Sequence, residues 1–442
     1  MKFLDKIYEK NKESNNISKT DILYLNFLHS LVLLFPLFLL TGPFIPDLTI
    51  VLCSISFLYL AIKYKISLYF NNFFFKIFFI FWIYLSFASL LSDNILFSLK
   101  SSFFYFRFIV FSLFIYFLIK NYNYFLKFFF YTLSITLMII LIDSYFQFYS
   151  GYSLTGFEKP NLRLTGPFGD RQIVGSFISR ILPLYLFLFY CVYEKINLKI
   201  IIFIIFLSIL VLFSGERTAF FILTFFIFSV LFLFNKKFIN TLMLMIVYTF
   251  ISLLIVFTVP SLKKRFVEQT LQGFAIKNFS NEVGVEKYFN EKPKRGFYIF
   301  SRAHEVHYLT AFSMFKDSPI FGQGPNMYRK KCSDKNFFIE QSSCTTHPHN
   351  FLLQVLAETG LIGAIFYLMI LFILLSKILS LLYNVNLKNI NLTKKQLNLY
   401  ILNLGFIINI FIFILPNGNF FNNYLNAIIF IPVGFYLFQN EK

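Results

Sequence analysis

The run Thr346-His347-Pro348-His349-Asn350 sets two imidazoles where a long polar loop meets an apolar segment. A titratable ring held between water and hydrocarbon is a candidate general base. Pro348 asks for an extended residue before it and favours a turn, so a helix is expected to open near Asn350. Gly360 and Gly363 follow on that helix, spaced to let a neighbouring helix come close. His304, His307, His347 and His349 are also ligand types for zinc, and His304 and His307, at i and i+3, would share a helical face. No Cys or acid at ligand spacing joins them, so no metal and no other cofactor is expected.

Charged side chains inside apolar segments are the second signal, because burying a charge in lipid is costly. Arg107, Asp143, Arg180 and Arg217 all fall, with His349, near the same ends of their segments. Two readings stay open. These groups snorkel or pair structurally, as Asp143 with Arg180, or they line a polar, positively biased cavity. A guanidinium grips phosphate oxygens bidentately and keeps its charge when partly desolvated, so the cavity reading points to a phosphate or diphosphate ligand.

The elements that must position these groups follow from bulk composition. In 442 residues, 57% are hydrophobic and 14% charged, with 68 Phe, and the mean hydropathy is +0.68. That is an all-α, polytopic membrane protein rather than a soluble domain. About twelve runs reach the length of a spanning helix: 22–40, 48–62, 74–91, 102–119, 126–149, 173–193, 198–214, 217–234, 239–259, 350–375, 397–415 and 422–438. The expected organisation is an N-terminal membrane bundle of about nine helices (1–259), a long loop (260–348) before the tenth, and about three C-terminal helices (349–442). The polar start, Met1 to Thr20, is not expected to be a cleavable signal peptide.

The net charge of +19 does not imply nucleic acid, since the excess Lys sits in alternate short loops. Lys2, Lys6, Lys10, Lys12 and Lys19 are followed by Lys63, Lys65 and Lys76, by Lys120 and Lys127, by Lys195 and Lys199, by Lys236 and Lys237, and by Lys377, Lys388, Lys394 and Lys395. Under the positive-inside rule these loops and both termini are cytoplasmic. The long loop holds 14 Lys/Arg against 8 Asp/Glu, but long loops are exempt from the rule. Its middle, 303–315, reads as a surface helix. Cys332 and Cys344, which enclose eleven residues of that loop, are expected to form a disulfide if the loop lies outside.

Four stretches, in order, resemble the O-antigen ligase and O-antigen polymerase family. Asn161-Leu-Arg163-Leu-Thr-Gly166-Pro-Phe168-Gly-Asp-Arg171 is similar to the family's R-x-x-G-x-F element, departing where Asp170-Arg171-Gln172 replaces Asn-Pro-Asn. Ser214-Gly215-Glu216-Arg217-Thr-Ala resembles an S-x-S-R-x-A turn, with Glu216 where Ser is usual. Arg302, Ala311, Pro319 and Phe321-Gly322-Gln-Gly324-Pro325 match the third stretch. His349-Asn350 with Glu358, Gly360 and Gly363 makes the fourth. The resemblance implies a metal-independent membrane glycosyltransferase of the GT-C type in the bacterial inner membrane. Its donor would be a glycan on a polyprenyl (undecaprenyl) diphosphate, its acceptor lipid A-core for a ligase, as in lipopolysaccharide biosynthesis, or another glycan for a polymerase. The active site would face the periplasm.

On that resemblance His349, Arg217 and Arg302 are the expected catalytic residues. Arg163, Arg171, Arg180, His347, Asn350 and Glu358 are expected to bind substrate, with the roles of Arg163 and Arg171 left as alternatives. A competing class is a lipid-linked oligosaccharide transporter, which should put charges at the midplane of two related halves. The charges here favour one side.

Overall fold

The structure is a computed structural model that describes residues 18–234, 238–273, 300–386, 393–412 and 415–441. The lysines at 2, 6, 10, 12, 236, 237 and 388, and loop residues 274–299, lie outside the described residues.

Each apolar run becomes a helix, and in most cases the polar residue ahead of it supplies the cap. The order is α1 (Lys19–Phe38), α2 (Phe44–Lys63), α3 (Phe73–Leu90), α4 (Ile95–Ser102), α5 (Phe106–Asn121), α6 (Phe125–Ser150), α7 (Val174–Tyr193), α8 (Leu198–Phe213), α9 (Arg217–Phe234), α10 (Phe238–Thr258), α11 (Arg302–Asp317), α12 (Phe351–Asn386), α13 (Lys394–Phe406) and α14 (Asn423–Gln439). Side chains of Ser18, Asn72, Asn94, Asn197, Ser301 and Asn422 accept first-turn N–H groups, which answers donors left without intrahelical partners. Among the described residues eight helical spans are long and apolar enough to cross a membrane, α4 and α5 counting as one; α8, α9 and α14 are apolar but shorter. The expected surface helix at 303–315 is α11.

The core forms around α5. Every residue from Phe108 to Ile119 is buried, and a helix apolar on all sides belongs at the centre of a bundle. Helix α14 packs closest to it: a Cβ on Gly434 would lie 2.6 Å from the Ser112 carbonyl oxygen. Helices α1, α3 and α10 leave large apolar side chains exposed on the outside of the bundle, the surface that hydrocarbon would cover.

The two ends of the bundle differ. Ends α2→loop, α5→loop, α13 and α14 carry exposed ion pairs, Lys63–Asp21 at 2.6 Å, Lys120–Glu441 at 2.5 Å and Lys394–Glu194 at 2.6 Å. The opposite end gathers the starts of α2, α5, α7, α12 and α14 around a cavity.

At that end the polar loop grips α12. The helix is broken at Gly360, whose φ of 63° and ψ of −165° are not helical. Loop 319–324 fills the break: Gln323 and Gly324 N–H donate to the Ala357 and Glu358 carbonyls at 2.9 Å, and Leu361 N–H donates to the Pro319 carbonyl at 2.8 Å. A Cβ on Gly360 would sit 2.2 Å from the Ile320 oxygen, so only glycine permits both the backbone turn and the approach. The expectation that Gly360 serves helix–helix packing is therefore corrected: it admits a loop, and the backbone groups it frees are paired there. Gly363 does face a neighbour, Tyr84 of α3. The Cys332–Cys344 disulfide, with Cα atoms 5.1 Å apart, closes the same loop.

Candidate active site

His349 stands at the start of α12 in a left-handed backbone conformation, φ 56°, uncommon for a non-glycine residue. Two anchors hold it there. The next residue, Asn350, caps α12 by accepting the Leu353 N–H at 3.0 Å, and the His349 carbonyl accepts the Asn417 N–H at 2.7 Å. Three other imidazoles surround it: the His347 ring is 4.1 Å away, His307 5.4 Å and His304 5.6 Å. Sequence spacing paired His304 with His307 on α11; the fold brings both to His349. Among the described residues no group of three His, Cys, Asp or Glu is placed to hold a metal ion.

The rings lie outside the spanning segments and are neutral near pH 7. Burial, with the neighbouring imidazoles, lowers His304 and His307 to about 4 and His347 to about 3. Burial also lowers His349, opposed by its bond to the Asn417 backbone. A neutral imidazole can accept a proton.

One basic group lies on the α9 side of the rings. The charge of Arg217 is close enough to depress His304, and its guanidinium donates to the Thr270 hydroxyl at 2.7 Å. Arg265 donates to the Gly215 carbonyl at 3.0 Å and to Gln269 at 2.6 Å; burial, then Arg217 and Arg163, lower its pKa. Arg163 pairs with Glu216 at 3.7 Å. Glu216, in the place of the usual Ser, is buried and accepts the N–H groups of Gly175 at 2.7 Å and Ser176 at 3.1 Å. Burial raises its pKa against those partners. It fastens the start of α7 to the α8–α9 turn and anchors Arg163 there.

His347 also stands in the wall of a cavity of about 970 Å³. Lys100, Arg107, Arg171, Arg180 and Arg329 line it, against one lining carboxylate, Asp47. Asp47 is already engaged by Arg107, at 2.8 and 3.0 Å. Arg180 donates to the Asn409 carbonyl at 2.9 Å and to Asn417 at 3.4 Å. It does not pair with Asp143, which accepts the Leu154 N–H instead; that structural pairing is corrected. The two basic groups share a wall, since Ser176 lines the cavity and also binds Glu216.

Not every expected site residue points inward. Arg302, at the start of α11, is paired with Glu340 at 2.6 Å. Glu358 is fully buried and accepts the N–H groups of Asn326 at 3.0 Å and Tyr328 at 2.9 Å and the Gln354 amide at 3.1 Å, so it holds loop 326–328 rather than facing the cavity. Asn350 is buried as a cap. Sequence reasoning missed Arg265, Lys100, Arg329 and Asn417. Asn417 touches His349, His347 and Arg180 together, and its run Pro416-Asn-Gly-Asn-Phe-Phe-Asn-Asn423, polar between two apolar segments, was the available signal.

A family model described as O-antigen ligase matches residues 202–368, the stretch that carries Glu216, Arg217, Arg265, Arg302 and His349. No curated protein matches the chain.

Proposed function

With an O-antigen ligase domain at residues 202–368 the chain is assigned to the O-antigen ligase and polymerase family, and on that premise we propose that it moves a glycan from a polyprenyl-diphosphate carrier to lipid A-core. The observation carrying this is the position of His349, a neutral imidazole 4.1 Å from His347, which lines the cavity, and 5.6 Å from His304, whose pKa the Arg217 charge helps to lower.

The acceptor hydroxyl gives its proton to His349 as its oxygen bonds the anomeric carbon. The bond from that carbon to the diphosphate oxygen breaks, and the polyprenyl diphosphate leaves with the electron pair. Arg217 and Arg265 hold the charge that grows on the leaving group, from positions already set by Thr270, Gly215 and Gln269. Arg163 is partly offset by Glu216, and Arg302 needs to leave Glu340 to take part. The chemistry calls on no metal. The lysine-rich end faces the cytoplasm by the positive-inside rule, which puts this site on the periplasmic side of the inner membrane.

A lipopolysaccharide gel from a deletion strain tests the assignment. Core without attached glycan supports the ligase; core carrying one repeat unit supports polymerase activity within the same family; an unchanged ladder contradicts both.

A further inference from the structure

We propose that the cavity beside His347 is the acceptor site and that it selects acceptors carrying an anionic group, a phosphate or a sugar carboxylate, close to the hydroxyl that becomes glycosylated. The inference rests on the transfer reading and adds the acceptor's chemical class to it.

Three observations converge. The lining cations outnumber lining carboxylates five to one, and the one carboxylate, Asp47, is held by Arg107. Among the described residues no carboxylate pairs with Lys100, Arg171 or Arg329, which are all exposed to the cavity; Arg171 rests over the Tyr424 ring at 5.9 Å. Pro43 and Asp47 at the start of α2 and Asn422 to Leu425 at the start of α14 line the same space, and a helix N-terminus carries partial positive charge. An anion entering here meets donors with nothing negative to displace.

Position assigns this anion to the acceptor. The family's shared step is loss of the diphosphate, and the residues matching the family carry Arg217 and Arg265. Of the five lining cations, Lys100, Arg107, Arg171 and Arg180 lie outside that match and Arg329 inside it, as expected of a group that mostly serves one chain's own acceptor. His349 contacts both His347, in the cavity wall, and His304, on which the Arg217 charge acts, and joins the two groups where the hydroxyl and the anomeric carbon must meet. A cavity of about 970 Å³ is at the upper end for ligand pockets and suits several sugars.

The test uses the full-length protein in liposomes with a polyprenyl-diphosphate glycan donor and three versions of one glycolipid acceptor: phosphorylated, phosphatase-treated and so uncharged, and phosphatase-treated but extended by an acidic sugar. The wild type is expected to show an acceptor KM at least about tenfold lower for an anionic version than for the uncharged one, a change worth one decade of affinity. In Lys100→Gln/Arg171→Gln/Arg329→Gln that preference collapses while the donor KM holds. Whichever anionic arm keeps the low KM names the group. Equal acceptor KM values in the wild type, or a raised donor KM in the variant, overturn the proposal. If the wild type transfers nothing, the transfer reading fails by itself. Direct binding of phosphorylated against phosphatase-treated glycolipid then decides: preference lost in the triple variant supports the anion site, and equal binding overturns it.

Discussion

The two basic groups beside the imidazoles are built differently. Arg163, Arg217 and Arg265 are half-buried, and each is tied to a named oxygen: Glu216, Thr270, and Gly215 with Gln269. In the cavity group Arg107 and Arg180 are tied as well, to Asp47 and to Asn409 with Asn417, but Lys100, Arg171 and Arg329 are exposed, with no such tether among the described residues. Donors fixed in advance suit a charge that appears at one place during reaction, because no reorganisation is needed then. Long, untethered side chains suit a ligand that arrives in variable form, and give affinity without demanding one geometry. On the proposed mechanism the contrast separates a part of the site made for chemistry from a part made for choosing a substrate.

Several substitutions bear on that contrast. The largest effect is expected at the tethered group: Arg217→Gln lowers kcat in the liposome transfer assay by about 10²–10³-fold, the usual cost of removing one donor to developing charge. A loss confined to acceptor KM would erase the distinction between the groups. Arg265→Gln should act in the same sense.

A second expectation concerns the frame beneath both groups. Glu358→Ala strands the Asn326 and Tyr328 N–H donors and lowers unfolding stability by about 1–3 kcal/mol for each, read as a fall in Tm of the purified protein. Glu358→Gln, which still accepts, loses less. Equal Tm values for both variants and the wild type would show that loop 326–328 is held by other means.

The pH response has a definite sign. His304, His307 and His347 are depressed to about 4, 4 and 3, against an ordinary value near 6.5. Between those limits the unfolded chain binds protons that the folded one excludes, so stability declines as pH falls from about 6.5 toward 4. The proposed mechanism needs neutral His349, itself lowered by burial, so the acidic limb of kcat is expected below pH 6.5. An acidic limb above pH 7 would remove His349 as the base.

The smallest effect belongs to the far end of the bundle. Breaking the exposed Lys63–Asp21 or Lys120–Glu441 pair with Lys→Ala should shift stability by no more than about 1 kcal/mol and leave transfer unaltered. A large loss of activity would mean that this end, too, takes part.

Much of this was legible in the sequence, for local reasons. A spanning run is contiguous, so its hydropathy and its Asn or Ser cap both sit in one window, and every expected run carries a helix, although α12 breaks at Gly360 and the run at 397–415 leaves α-helical geometry after Phe406. That Arg107 and Arg180 share one end of the bundle followed from counting residues to segment ends, whereas Arg171 and His347, which line the same cavity, were marked by the family resemblance. What stayed hidden depends on partners far apart in the chain. Arg302 looks catalytic until Glu340 is seen beside it, and Glu358 looks like a site acid until its oxygens are traced to Asn326 and Tyr328. Asn417 stands 68 residues from the histidine whose carbonyl it binds, and no periodicity links them. Gly360 showed that a close approach was needed but not that a loop would make it.

The central claim is that one neutral imidazole, His349, takes the acceptor's proton where two anion-binding groups meet. The measurement that meets it most directly compares wild type with His349→Ala in liposomes, following both substrate binding and product. The account predicts unchanged binding of the donor and acceptor and a loss of product formation of about 10²–10⁴-fold. Product formed at the wild-type rate by His349→Ala would contradict it.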